Sequence, residues 1–138
     1  ADASAVTSGT LANVTGLTAT VNAGLGVSYR VDGEILYTTP AATDGVKLAL
    51  TIPSGATVGV LWTALSADTG EVTETYSTAS GSGLSSTTRP ESGTVWRAKV
   101  SGYVTGGTAG GSVTVQVASE VAASTVVKAG SFLRVGNK

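Results

Sequence analysis

The sequence predicts an all-β fold: a single antiparallel β-sandwich or jelly-roll-like domain of about eight strands. Valine (19 residues) and threonine (22 residues) are abundant, and both favour a pleated, half-buried backbone. Apolar and polar residues alternate with a period of two in run after run. Turn residues separate these runs at intervals of about 8–12 residues, which is typical of a sandwich or barrel. A chain of 138 residues suits one such core.

The longest alternating run extends from Val27 to Tyr37. Asp32-Gly33 lies inside it and is a strong two-residue hairpin signal. The apolar parity nevertheless continues unbroken across Gly33. We therefore predict one long strand, with a bulge at Gly33, in preference to a turn. Residues 11–24 before it predict one or two short strands.

The next three runs predict strands of different character. Residues 45–53, "GVKLALTIP", alternate and end at a proline turn. Residues 57–65 place Val58, Val60 and Trp62 inward, with Leu61 and Leu65 on the reverse face. Residues 71–78, "EVTETYST", are polar and predict an edge strand, whereas residues 79–93 show no pattern and predict a long loop.

The C-terminal third predicts further strands around a glycine-rich segment. Alternation resumes at residues 94–104, and residues 106–111, "GGTAGG", predict the turn of a hairpin whose second strand follows directly. Residues 124–136 close the chain with a last strand. The predicted core comprises Tyr29, Val31, Leu48, Leu50, Val60, Trp62, Val100, Val113 and Val115.

Composition excludes several kinds of site. The chain contains no cysteine and no histidine, so disulfides, thiolate nucleophiles and histidine general bases are ruled out. Its eight basic and nine acidic residues are scattered, without the basic patch that a nucleic-acid-binding protein carries. No apolar run approaches the roughly 18 residues that cross a bilayer, and no intact signal peptide opens the sequence. We expect neither nucleic-acid binding nor membrane insertion.

Asp68-Thr69-Gly70 matches the tripeptide of aspartic proteases. Its context is poor for catalysis: Ser66 and Ala67 precede it in place of an apolar strand, and Glu71 adds a carboxylate beside a dyad that must share one proton. Asp-x-Gly between two alternating runs is ordinary turn chemistry. We interpret Asp68 as a turn residue.

Two further polar motifs also have structural explanations. Asp32 and Glu34 share a strand face, so their carboxylates could lie roughly 6–7 Å apart. This distance overlaps the separation of the two catalytic carboxylates in inverting glycosidases. Alternation alone already predicts polar residues there. The glycine-rich segment 106–111 lacks the Lys-Ser/Thr of a phosphate loop. Asn13-Val14-Thr15 fits a glycosylation acceptor, which is relevant only to a protein secreted by a eukaryote.

Aromatic residues are the candidates for sugar stacking. Tyr29, Tyr37, Trp62 and Trp96 would serve that purpose in a lectin. The two tryptophans have the parity of buried neighbours, so core packing is the favoured interpretation. Tyr76 and Tyr103 are less determined, and Tyr103 has the parity opposite to that of Trp96, which favours exposure.

Four motifs resemble a group of small β-sandwich virion proteins of tailed bacteriophages. They are Val-Thr-Gly-Leu (14–17), Ala-Gly (23–24), Tyr-x-Val-x-Gly-x-x-x-Tyr (29–37) and Ala-Gly-Ser-x-Leu-x-Val (129–135). The group includes head-decoration (cement) proteins, head fibres and tail-tip domains. The resemblance covers most of residues 11–136, implies a jelly-roll-like sandwich and carries over no catalytic residue.

The resemblance implies a non-enzymatic structural protein of the virion. We expect a capsid decoration protein that binds the head surface and stabilises it, with no catalytic, cofactor-binding or metal-binding residues. The alternative is a receptor- or carbohydrate-binding head domain of a tail fibre, with a host-surface glycan as partner. Either protein would be made in the bacterial cytoplasm and then become part of the virion.

Assembly follows from the same expectations. Residues 1–12 are small and nearly uncharged, so we predict a flexible N-terminal arm ahead of a sandwich domain at residues 13–138. We expect a homotrimer, the common state of such proteins, docked on the major capsid protein or another virion protein through loops and this arm.

Replacing the candidate protease aspartate tests the turn interpretation. Asp68→Asn should leave both the fold and the assembly intact, because an asparagine caps a turn as an aspartate does. Circular dichroism and sedimentation check this. Pepstatin-sensitive proteolysis by the wild type, abolished in the variant, would contradict the interpretation.

Overall fold

The computed structural model of the protein describes residues 10–21, 27–38, 46–65, 72–85, 95–108, 110–119 and 125–136. No helix among these residues is long and apolar enough to cross a membrane. The described residues form ten strands: β1 (Ala12–Val21), β2 (Ser28–Thr38), β3 (Val46–Thr51), β4 (Thr57–Leu65), β5 (Val72–Ser77), β6 (Ser82–Ser85), β7 (Trp96–Thr105), β8 (Gly111–Ser119), β9 (Val126–Val127) and β10 (Phe132–Gly136).

The strands of the described chain form two antiparallel sheets that pack face to face. One sheet has the order β1-β8-β3-β6, and the other has the order β10-β2-β7-β4-β5, with β9 also pairing with β2. The first eight strands therefore pair in a nested way: β1 with β8, β2 with β7, β3 with β6 and β4 with β5. This is the pairing of a jelly roll, a long hairpin folded over into two sheets. The predicted fold class is confirmed.

The long central strand is confirmed, but it contains no bulge at Gly33. Pairing of β2 with β7 runs without a break from Ser28↔Thr105 to Tyr37↔Trp96. Gly33 has a packing role: a Cβ there would lie 2.9 Å from Val100 Cγ1 and 3.1 Å from the carbonyl oxygen of Phe132. The irregularity in strand pairing lies in β1, between residues 13 and 18.

Two local predictions were wrong. The "GGTAGG" segment is not a hairpin turn, because β7 and β8 belong to different sheets. It carries the chain from one sheet to the other, and the Gly106 N–H donates to the Val27 carbonyl oxygen at 2.8 Å. The predicted loop at 79–93 contains strand β6, whose Gly83 lies so close to β3 that a Cβ would collide with the Leu48 carbonyl oxygen. The rest of that segment, from residue 86, lies outside the described residues.

The core lies between the sheets and largely matches the prediction. Eight of the nine predicted core residues are buried, and Tyr29 is partly buried against them. Val58, Val60 and Trp62 face inward from β4, and β5 is an edge strand, as predicted. Further fully buried residues were not in the predicted core, among them Val21, Ile35, Val46, Ala49 and Ala98.

Trp62 is the largest fully buried side chain of the described core. Trp62→Ala should lower the free energy of unfolding by about 3–5 kcal/mol, because it removes buried apolar surface and leaves a cavity. Its neighbour Leu61, on the solvent side of β4, is 38% exposed, and Leu61→Ala should cost less than about 1 kcal/mol. Chemical denaturation of both variants measures the difference. A small loss at Trp62 would place its ring outside the core.

Candidate functional site

The two acidic candidates that the structure describes, Asp32 and Glu34, each form an ion pair with an arginine. Asp68 lies outside the described residues, so its interpretation as a turn residue stays a prediction; strands β4 and β5 on either side of it pair as far as Leu65↔Val72. Asp32 and Glu34 lie on the outer face of the larger sheet. Each pairs with its own arginine: Asp32 Oδ2 lies 3.2 Å from Arg134 Nη2, and Glu34 Oε1 lies 3.4 Å from Arg97 Nε. These are two separate surface ion pairs, which contribute little to stability.

Other polar motifs also have structural partners. The Asn13 side chain accepts a hydrogen bond from Gln116 Nε2 at 3.1 Å across the β1–β8 pair. No group of three or more acidic side chains suited to holding a metal ion occurs within the described ranges. The glycine-rich segment lies in the crossover between the two sheets. Residue 109 of this segment is not among the described residues.

The four aromatic residues proposed for sugar stacking pack into or against the core. Tyr37 and Trp62 are fully buried, and Tyr29 and Trp96 are partly buried against the core cluster. The Trp96 ring also borders an open groove of about 560 Å³ at one end of the larger sheet, lined by Leu36, Thr63, Ala64, Val95, Trp96, Arg97 and Lys99.

The two tyrosines that the sequence left undetermined are exposed. Tyr76 on β5 and Tyr103 on β7 are 61% and 47% exposed, and both lie on the outer face of the larger sheet. They flank Gly59 on the strand between them: a Cβ at Gly59 would lie 2.5 Å from Tyr76 Oη and 2.8 Å from the Tyr103 ring. We call Tyr76, Tyr103 and the Gly59 floor beneath them the tyrosine platform.

Tyr103 affects the pKa of Tyr76 within the tyrosine platform. A side-chain hydrogen bond with Tyr103, and then repulsion between the two groups when ionised, raise the pKa of Tyr76 above its ordinary value of 10.0. The folded protein therefore holds this proton more tightly than the unfolded chain does. The resulting stabilisation is present below pH 10 and is lost as the pH rises through the folded-state pKa.

A second feature brings together three of the four segments that carry the virion-protein resemblance. The turn before β10 is fastened to β2: Lys128 N donates to the Leu36 carbonyl oxygen (2.7 Å), and Leu36 N donates to Ser131 Oγ (2.8 Å). Strand β10 then pairs with β2 along its length. Residues 14–17 of β1 face residues 127–131 across a cleft of about 210 Å³. We give the name β1–β10 flank to the surface formed by residues 14–17 of β1, the turn at residues 128–131, strand β10 and strand β2.

Comparisons with known proteins add little. No protein-family profile and no curated protein matches the chain. A search of solved structures finds a chain from "Structure of infectious bursal disease virus Gx strain" at 14% identity and a TM-score of 0.19. The alignment covers 98% of this chain and 37% of the viral chain. At that TM-score the match supports no statement about fold or function.

Removing one hydroxyl tests the interaction within the tyrosine platform. Tyr103→Phe should lower the pKa of Tyr76 towards 10, because it removes the hydrogen-bond partner and the competing charge. Phe132→Leu, on the same outer face, is the control and should leave that pKa unchanged. NMR titration of ¹³C-labelled tyrosine rings resolves Tyr76 individually. An unchanged pKa in Tyr103→Phe would show that the two hydroxyls do not interact.

Proposed function

We propose that the protein is a non-enzymatic structural component of a bacteriophage virion, and that it acts as a decoration (cement) protein on the capsid surface. The observation that carries this proposal is the β1–β10 flank. Segments 14–17, 29–37 and 129–135 carry the sequence resemblance, and they are contiguous in the fold through the β2–β10 pairing and the turn at 128–131. The jelly-roll pairing supports it as well, since viral capsid domains commonly have this architecture.

The proposed partner is the major capsid protein or another virion protein, bound through loops and the N-terminal arm. Strand β1 begins at Ala12 and is an edge strand of the smaller sheet. Residues 1–9 lie outside the described part. An arm with few large apolar side chains gains order only through contacts with a neighbour.

A homotrimer is the proposed assembly. The chain has a net charge of −1, so copies repel one another little. Closed symmetry is a common way of covering sheet edges and faces.

The alternative is a receptor- or glycan-binding head of a tail fibre. The observation that favours it is the exposed pair Tyr76 and Tyr103, because two neighbouring exposed aromatic rings offer an apolar surface with polar hydroxyls at which a sugar can stack.

Mass measurement tests the trimer. Mass photometry and analytical ultracentrifugation of the purified chain at micromolar concentration should show a species of three times 13.5 kDa. A species of 13.5 kDa across that concentration range would contradict the trimer without bearing on capsid binding.

Deletion of residues 1–12 tests the arm. The truncated protein should fold normally, because β1 begins at the last deleted residue, but should decorate empty phage heads at reduced occupancy. A matched variant that replaces residues 1–12 with a Gly/Ser segment of equal length separates sequence from length. Unchanged occupancy for both variants would assign docking to the loops, and no decoration by the full chain would contradict the cement role.

A further inference from the structure

We propose that the tyrosine platform binds carbohydrate: a β-linked pyranose chain whose ring hydroxyls are equatorial, stacked by its C–H faces on the rings of Tyr76 and Tyr103. The inference deepens the second of the two proposed roles and does not depend on the first. The proposed site is formed by residues other than the four aromatics that the sequence named as candidates for sugar stacking.

The missing side chain at Gly59 allows both rings to lie low on the sheet. Tyr76 reaches in from β5 and Tyr103 from β7, and both cover the space that a Cβ of Gly59 would occupy. Tyr76 and Tyr103 nevertheless remain 61% and 47% exposed, so a large part of each residue is accessible to a ligand.

The size of the platform fits a sugar better than a protein. Aromatic side chains bury about 150–250 Å² each, so the exposed parts of the two tyrosines together offer roughly 200 Å². A stable protein interface needs about 800 Å² on each partner. One or two pyranose rings cover the smaller area.

The surroundings of the platform carry the polar groups that a neutral polyol needs. Ser101 lies beside Leu61 in the strand register, and Arg30 lies beside Tyr103. Ser28 and Thr105 share a hydrogen bond of 3.1 Å at the same end of β7. Sugar sites typically combine an apolar stacking surface with a few hydroxyl and charged side chains that accept or donate at its rim.

A purely structural role is the competing explanation. Aromatic rings on neighbouring strands can cover a sheet glycine and stabilise the pairing, without any ligand. In that case the two rings would stabilise the strand pairing, and they would not need to bind a ligand. Ligand titration of folded variants separates the two explanations.

The experiment uses cellohexaose as the probe and α-linked maltohexaose as the mismatched chain. Saturation-transfer NMR on the full chain should show transfer from the tyrosine rings to the axial C–H protons of cellohexaose, with weaker transfer to maltohexaose. Tyr76→Ala and Tyr103→Ala should each weaken binding by about tenfold. Tyr76→Phe should retain it, because stacking needs the ring and not the hydroxyl.

Phe132→Ala is the matched control. Phe132 is another exposed aromatic on the same outer face, 40% exposed and carried by β10, and its removal should leave sugar binding unchanged. Thermal denaturation identifies any variant that fails to fold. Gly59→Ala is a further test variant for sugar binding, because it displaces both rings without removing either. Absence of binding to cellohexaose by the folded wild type, equal losses in Phe132→Ala and Tyr76→Ala, or self-association that Tyr76→Ala abolishes would each overturn the inference. Decoration assays on the same variants report separately on the capsid role.

Discussion

The unbroken pairing of β7 with both of its neighbours is the constraint on which the rest of the structure depends. Strand β7 pairs with β2 from Ser28↔Thr105 to Tyr37↔Trp96 and with β4 from Thr57↔Thr105 to Ala64↔Ala98. Because side chains alternate between the two faces of a sheet, this register decides which residues of three strands enter the core. It also places Tyr103 beside Gly59 on the outer face. A shift of this register by one residue would turn the valines of β7 towards solvent. It would also move Tyr103 away from Gly59.

The alternation that the register requires is present in the sequence, which is why the fold class, the long β2 strand, the polar edge strand and most of the core could be predicted. Features decided by distant contacts could not. A glycine-rich segment at 106–111 has the same composition in a hairpin as in a crossover between sheets, and only the pairing of β8 with β1 and β3 distinguishes the two. Strand β6 contains little apolar sequence, and its position depends on the close approach of Gly83 to Leu48.

The candidate binding surface shows the same division. Parity correctly placed Trp62 in the core and favoured exposure of Tyr103. The proximity of Tyr76 to Tyr103 depends on two adjacent strand registers and on the absence of a side chain at Gly59, so no local signal could reveal it. Once the strand registers are known, Gly59 lies directly opposite Tyr103 and diagonal to Tyr76, and this arrangement marks the platform. The β1–β10 flank likewise joins motifs that lie more than a hundred residues apart in the sequence.

Nested pairing also determines the order in which the strands can form. The β4–β5 pair joins neighbouring segments, whereas β1–β8 joins Ala12 to Val117 across most of the chain. The entropy of closing a loop grows with its length, so we expect the β4–β5 pair to form first and pairing to proceed outward through β3–β6 and β2–β7 to β1–β8. Chains dominated by such distant contacts fold slowly. During synthesis, β1 therefore cannot pair with β8 until β8 has emerged from the ribosome. The edge of β1 that pairs with β8 stays unpaired until then.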